Sequence, residues 1–148
     1  MWKSGFKNYS MSLTTEQFIF QLASRFLPEL KLTEHNLYLY GRQKGWLEDE
    51  DERFKSELLN KRNAARIIHN FMLKELNIPD SLNIDKAKEL LDLYSCRTCA
   101  NHIAQVYVKD IMTAEEYEYN GTTGLIFNML KLVSYDEAVE IIGRIKPI

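Results

Sequence analysis

The chain has 148 residues, of which 45% are apolar and 27% charged, an ordinary composition for a globular protein. Its 19 basic and 21 acidic residues give a net charge of −2, so we expect no general attraction to nucleic acid or to acidic membranes. A chain of this length buries roughly two-thirds of its unfolded surface, so it needs neither disulfides nor a metal to fold.

No apolar run approaches the length of a transmembrane helix, so no membrane span is predicted. The first residues also lack the apolar core of a signal peptide. As written, the sequence therefore predicts a cytoplasmic protein, or a cell-surface protein if it is a fragment or a mature form.

Three segments share one helix-start pattern, in which an N-cap residue lies between an apolar N′ residue and an apolar N4 residue. Ser134 and Glu137 complete a capping box, and so do Thr14 and Gln17. In the remaining segment Asn63 stands where the box needs Glu or Gln. Three such starts, each followed by an apolar run, suggest a degenerate repeat. The segments are Leu13–Phe18, Leu59–Ala64 and Val133–Ala138.

The first half of the chain predicts a polar lead-in and three helices. The acidic run 48–52 lacks the central glycine and the spaced carboxylates of a calcium loop. We therefore expect that run to be a solvated loop or a charge cluster at a helix start. The lead-in covers residues 1–11, and the helices run from about Thr15 to Phe26, from Thr33 to Gln43, and from Lys61 to about Leu76.

The second half is less regular. Asn120-Gly121 is a turn signal, and the segment Leu125–Phe127 predicts either a short strand or a buried loop anchor. The spacing of apolar residues predicts further helices over about Ile84–Leu93, Cys96–Asp110 and Tyr135–Arg144. Whether the first two of these form one helix or two is left open by the sequence.

A second pattern repeats along with the capped starts. In Lys44-Gly-Trp-Leu47 and in Lys109-Asp-Ile-Met112, a helix closes on lysine and a turn residue, and two apolar residues turn back toward the core. A loop with a lone phenylalanine (Phe54, Phe127) and a capped helix follow each time. This predicts one domain over 12–148. Its parts are a leading half unit (12–30), a unit (31–78) and a unit with an insertion (79–148).

This unit resembles the S-layer homology module, in which a lysine-glycine-apolar turn precedes a loop with a buried phenylalanine and a Thr-Arg-Ala-Glu helix start. The resemblance is a pattern over about residues 12–145. It implies a mainly α fold of about six helices with long irregular loops. In that family, three units pack around a pseudo-threefold axis and hold pyruvylated cell-wall polysaccharide in the grooves between them. The best-matching segments are 43–47, 61–71, 102–112 and 133–145.

The glycan-contacting arginine of the family motif falls on Thr15, Lys61 and Tyr135. Only Lys61 keeps the charge, and an ammonium group does not reproduce the bidentate contact of a guanidinium with a carboxylate. The resemblance therefore implies that the helix starts are built as in the family, whereas the ligand has changed or been lost.

Four residues are candidate ligand-binding residues: Trp46, Lys61, Arg62 and Tyr135. Lys61 and Arg62, with Arg66, could bind a phosphate or a carboxylate at a helix N-terminus. The alternative is a solvated face that neutralises the acidic run 48–52. Trp46 could stack on a sugar, although its place in the apolar pair favours a core position.

The segment Cys96-Arg-Thr-Cys99, with His102, allows three interpretations. The cysteines could be small apolar residues on a helix face, two zinc ligands, or a redox pair. A zinc site needs more ligands than the sequence places nearby, and the βαβ context of thioredoxin-like motifs is missing. We therefore favour core packing, and we predict no metal and no cofactor.

No spacing suggests a catalytic triad or a nucleophile elbow, so the sequence does not predict an enzyme. Our first hypothesis is a non-catalytic interaction module that resembles S-layer homology domains and binds a protein or an acidic cell-wall polysaccharide. The alternative is a small cytoplasmic regulator or inhibitor that acts through protein–protein contact and comes from a mobile element.

Overall fold

The computed structural model describes residues 11–31 and 33–147, so the predicted lead-in lies outside the described residues except for Met11. The described chain is mainly α, as predicted, with a small antiparallel sheet. None of its helices is long and apolar enough to cross a membrane. The helices are α1 (Thr15–Phe26), α2 (Glu34–Lys44), α3 (Asp49–Arg53), α4 (Lys61–Lys74), α5 (Ala100–Val108) and α6 (Tyr135–Gly143), and the strands are β1 (Glu115–Tyr119) and β2 (Thr122–Ile126).

The predicted helix starts are confirmed. Thr14 caps α1, where its hydroxyl accepts the Gln17 N–H and the Gln17 side chain accepts the Thr14 N–H. Ser134 and Glu137 form the same reciprocal pair at α6. Asn60 caps α4 without the return bond, as the sequence predicted. The apolar residues that flank the three caps have no exposed surface, so each start is fixed by burial as well as by its cap.

The residues that precede the three caps are joined in a closed ring of backbone hydrogen bonds. The Leu13 N–H donates to the Val133 carbonyl (3.3 Å), the Val133 N–H to the Leu59 carbonyl (2.9 Å), and the Leu59 N–H to the Leu13 carbonyl (3.0 Å). Each residue donates once and accepts once, so the three starts stand in equivalent relationships at the centre of the fold.

A second set of backbone hydrogen bonds joins the same three helix starts in the opposite direction around the ring. The N1 amide of a helix has no partner within that helix, and it must find one elsewhere when it is buried. Here each N1 amide donates, over 2.9 Å, to the residue three positions before a neighbouring cap. The pairs are Thr15 with Glu57, Lys61 with Lys131, and Tyr135 with Met11.

The two predicted closing turns are also equivalent. Gly45 and Asp110 both have positive φ angles, of 93° and 60°. In each turn the next residue, Trp46 or Ile111, donates its N–H to the carbonyl five residues earlier, which is a common way to close a helix. Both members of each following apolar pair are buried, so the chain returns to the core at both places.

The helix predicted over Ile84–Leu93 is not formed. Instead there are two short 3₁₀ helices, Asp85–Glu89 and Leu93–Ser95, separated by an extended residue, Leu90, and a turn. At that break the Leu91 N–H donates to the Leu125 carbonyl (2.8 Å) in β2. The contact with β2 overrides the helical pattern of the segment, and α5 begins only at Ala100.

The irregular segment after α5 contains the β1–β2 hairpin. Asn120 and Gly121 have φ angles of 50° and 78°, as a tight hairpin turn requires. The two alternatives predicted for 125–127, a short strand and a buried loop anchor, are each partly correct. Strand β2 ends at Ile126, and Phe127, just after it, is fully buried. The Asp92 carboxylate accepts the N–H groups of Phe127 and Asn128, each at 2.8 Å, and so ties the hairpin to the helical part.

Candidate functional site

The N1 positions of α1, α4 and α6 are where the resemblance places a ligand-contacting side chain. Thr15, at the first of them, is only 6% exposed. Its hydroxyl donates to the Glu57 carbonyl at 3.3 Å. This hydroxyl is therefore used inside the fold.

Lys61, at the second N1 position, is also 6% exposed. Its Nζ donates to the Thr113 carbonyl at 2.9 Å and lies 4.4 Å from the centre of the Phe127 ring. Burial lowers the pKa of Lys61, although the nearby carboxylates of Glu115 and Glu137 act in the opposite direction. The residues on either side of the hairpin therefore cover the second N1 position, and the ammonium group is bonded within the protein.

Trp46 lies in the core with no exposed surface. Its ring packs edge-to-face on Phe71 with the centroids 4.7 Å apart, and its Nε1–H donates to Glu75 at 3.2 Å. A sugar could stack on Trp46 only if the surrounding core opened.

The basic residues of α4 do not act together as one anion site. Arg66 forms two hydrogen bonds with Asp51, at 2.7 and 3.0 Å. Asp51 is 3% exposed, so the prediction of a solvated acidic run is wrong for this residue, whereas the predicted neutralisation of the run by α4 is confirmed for Arg66, which also lies 3.7 Å from Glu48. Arg62 is half-buried and gives its backbone N–H to the Met129 carbonyl.

Tyr135, at the third N1 position, lies beside an open groove. The groove has a volume of about 440 Å³ and lies between α1, α2 and the start of α6. Among the three N1 residues, Tyr135 is the one that lines a described groove. The lining residues are Glu16, Gln17, Phe20, Gln21, Leu37, Tyr38 and Tyr135.

Two further grooves adjoin the first through Phe20. One, of about 290 Å³, includes Leu30 and Lys31, and the other, of about 510 Å³, includes Arg25 and Val139. Phe20 is 61% exposed and Val139 is 56% exposed. We call the surface formed by Phe20, Leu30, Tyr135 and Val139 the Phe20 surface.

No protein-family model, curated protein or solved structure matches this chain.

The two cysteines are joined in a disulfide, Cys96–Cys99. The predicted helical position is wrong, because the turn that contains them precedes α5, whereas the predicted core packing is confirmed for Cys99, which packs against the hydrophobic core. Only two residues separate them, and the turn brings their Cα atoms within 5.2 Å. Within 11–31 and 33–147, no group of three or more potential ligands could hold a metal ion.

His102 belongs to a buried polar cluster between α4 and α5. Its Nδ1 lies 2.8 Å from Nδ1 of His69, and Nε2 of His69 lies 2.7 Å from the Asp80 carboxylate. Nε2–H of His69 donates to the Asp80 carboxylate. The two Nδ1 atoms then share one proton, so that one of them donates and the other accepts. Burial, together with the nearby His69 and Arg66, lowers the pKa of His102 to about 4. His102 is thus neutral at physiological pH.

Sequence reasoning missed Phe20. The buried face of α1 includes Phe18, Ile19 and Leu22, and a residue two positions after Phe18 points away from that face. A large aromatic residue on the otherwise polar side of an amphipathic helix was the signal that could have identified it.

Proposed function

We propose that this chain is a non-catalytic binding module, related in shape to S-layer homology modules, which binds a protein ligand on the Phe20 surface. The observation that carries the proposal is the exposure of Phe20 at the meeting point of three grooves. Contiguous exposed apolar side chains beside polar residues are typical of interaction sites.

Two features support the relation in shape. The closed ring of hydrogen bonds between Leu13, Leu59 and Val133 is the arrangement expected where three helix starts meet around a central axis. The equivalent turns at Gly45 and Asp110 would be the other half of the proposed repeat. Neither feature involves a ligand, so the proposed relation in shape does not depend on which ligand the chain binds.

The chemistry of the grooves favours a protein over an acidic glycan. Thr15 and Lys61 are hydrogen-bonded inside the fold. Among the described residues that line the groove beside Tyr135, the one charged side chain is that of Glu16. Arg25 and Lys31 lie in the adjoining grooves, one in each. An anionic sugar needs converging cations, whereas Phe20 offers an apolar anchor to a protein side chain.

A displayed library of random peptides provides a direct test. We expect selection on the purified chain to enrich peptides with large apolar side chains. Phe20→Ser should weaken the binding of the enriched peptides at least tenfold. Leu82→Ser is the matched control, because Leu82 is fully exposed and lies away from the grooves, and it should change nothing. Peptides that bind both variants equally would contradict the proposed surface.

A second arm tests the glycan. We expect purified pyruvylated cell-wall polysaccharide to retain the native chain no more than it retains the Phe20→Ser variant. Retention that survives Phe20→Ser but is lost in Tyr135→Ala would overturn the protein ligand in favour of a glycan. If neither peptide nor polysaccharide binds, the proposal of a binding module itself fails.

The alternative from the sequence, a small regulator or inhibitor, would use the same Phe20 surface. The two hypotheses differ in the partner, which for a regulator would be a cytoplasmic protein with an accessible apolar segment. The peptide sequences that the library returns would distinguish them, since a regulator selects one narrow consensus that depends on residues beyond the apolar anchor.

A further inference from the structure

The Cys96–Cys99 disulfide lies immediately before α5, a helix of nine residues, and Cys99 is its N-cap residue. Cys99 packs against the hydrophobic core, whereas Cys96 lies on the preceding turn with its Sγ 3.5 Å from the Thr98 hydroxyl. The two sulfur atoms are therefore not equivalent.

A purely structural role for this disulfide has little support. A disulfide stabilises a fold mainly by closing a long loop in the unfolded chain, and this loop holds two residues between the cysteines. The same turn is already closed by a backbone hydrogen bond from the Cys99 N–H to the Cys96 carbonyl (3.1 Å).

The N-terminus of α5 also differs from those of α1, α4 and α6. Those helices have a side chain that accepts an N–H group of the first turn, and α5 has no such cap within the described chain. A Cys99 thiolate would lie where that cap is missing. The backbone N–H groups and the helix dipole stabilise an anion at this position.

We propose that Cys96–Cys99 is a redox-active disulfide that exchanges with a pair of neighbouring thiols on a protein partner. A partner thiolate attacks Sγ of Cys96, the Cys96–Cys99 bond breaks, and Cys99 leaves as a thiolate at the N-terminus of α5. The partner's second thiol then loses its proton to solvent and attacks the partner sulfur of the mixed disulfide, which releases Cys96. Two electrons pass to the two cysteines, the partner becomes a disulfide, and the released thiolates take up protons from solvent according to their pKa values.

The attack is assigned to Cys96 because the leaving sulfur should be the one that best holds negative charge. Cys99 has that property at the helix N-terminus. The proposal does not depend on the Phe20 surface, since the disulfide and the grooves involve different residues.

The first test uses the native full chain, with reduced glutathione as the thiol probe. We expect excess reduced glutathione, without denaturant, to give two free thiols per chain while the folded circular-dichroism signal is kept. Reoxidation with oxidised glutathione should restore the disulfide. A disulfide that opens only when the chain unfolds would overturn the proposal.

The second test traps the mixed disulfide on Cys96 and measures how well Cys99 holds negative charge. With oxidised glutathione, Cys99→Ser should accumulate a stable mixed disulfide on Cys96, detected by intact mass. In Cys96→Ser the remaining Cys99 thiol should have a pKa below the ordinary value of about 8.5, read from its alkylation rate against pH. A Cys99 pKa at or above that value would remove the assigned leaving group. If either variant fails to fold, the glutathione experiment on the native chain still decides whether the disulfide is redox-active.

Discussion

Asp51 and Arg66 form a bidentate ion pair that joins α3 to α4. Both carboxylate oxygens of Asp51 accept from the guanidinium, and one of them also accepts the Glu48 N–H at 2.8 Å. Asp51 is 3% exposed, and the Arg66 side chain is 17% exposed. Asp51 therefore closes the start of α3 and pairs a largely buried cation at the same time.

Asp51→Asn should lower the free energy of unfolding by about 2–3 kcal/mol, because the largely buried Arg66 guanidinium then keeps only the more exposed Glu48 carboxylate, at 3.7 Å, as a counter-charge. Chemical denaturation would measure the change. Lys86→Gln is the control, since the Lys86–Asp110 pair is exposed on both sides, and it should cost less than about 0.5 kcal/mol. Equal effects in the two variants would show that the buried pair has no special role.

The stability of the fold should depend on pH through His102. The pKa of His102 is about 4 in the folded chain and 6.5 in its ordinary state, so between these values the unfolded chain binds more protons. The free energy of unfolding should therefore decrease as the pH falls from about 6.5 toward 4. The expected loss is about 1–2 kcal/mol after a discount for the partial exposure of the ring.

Denaturation curves at pH 7.0, 6.0, 5.0 and 4.5 would measure this slope. The groups that face His102 are His69, Arg66 and Asp80. His102→Gln removes one titrating group and keeps a side chain that can hydrogen-bond with His69, so it should flatten the curve. A wild-type curve that is already flat over this range would rule out the predicted linkage.

Gly41 should not tolerate a side chain. A Cβ atom at this position would lie 2.4 Å from Cδ1 and 2.7 Å from Cγ of Leu47, which is itself buried. Gly41→Ala should destabilise the fold by about 1–3 kcal/mol through overpacking, and the melting temperature would report the loss.

Two controls accompany this substitution. Gly143→Ala places its methyl group in open space at the end of α6, and it should be neutral or stabilising by up to about 1 kcal/mol. In the Leu47→Ala background, the cost of Gly41→Ala should shrink, because the colliding atoms are gone. An unchanged cost there would mean that the clash is not the cause.

Lys61 should matter through packing and through its hydrogen bond. Lys61→Ala should cost about 2–3 kcal/mol, because it opens a cavity beside Phe127 and leaves the Thr113 carbonyl without its donor. Lys61→Met keeps the volume of the side chain and should cost less than about 1.5 kcal/mol. Thermal denaturation of both variants would measure the difference. If Lys61→Met is as damaging as Lys61→Ala, the charge contributes more than the packing.

The helix starts were predictable because their signals are local. Thr14 and Ser134 bond to amides three residues away, and the flanking apolar residues are adjacent in sequence, so the pattern contains the whole interaction. The closing turn at Gly45 is equally local, since it needs a left-handed residue and the two apolar residues that follow it.

The failures occurred where distant residues compete with the local pattern. The segment 84–93 has helical spacing, but its Leu91 amide bonds to Leu125 in the hairpin. Asp51 stands in an acidic run that reads as solvated, and only the position of Arg66, fifteen residues later, shows that it is buried. Single-sequence periodicity does not contain either contact.

The sequence by itself thus determined the capped helix starts, the closing turns and the mainly α fold, because short-range hydrogen bonds and apolar spacing specify them. Only the tertiary structure decided what surrounds the three N1 side chains. Thr15 and Lys61 bond to carbonyl groups that come from distant parts of the chain, whereas Tyr135 lines an open groove beside Phe20. The availability of a side chain to a ligand depends on what packs over it, and that packing comes from residues far away in the sequence.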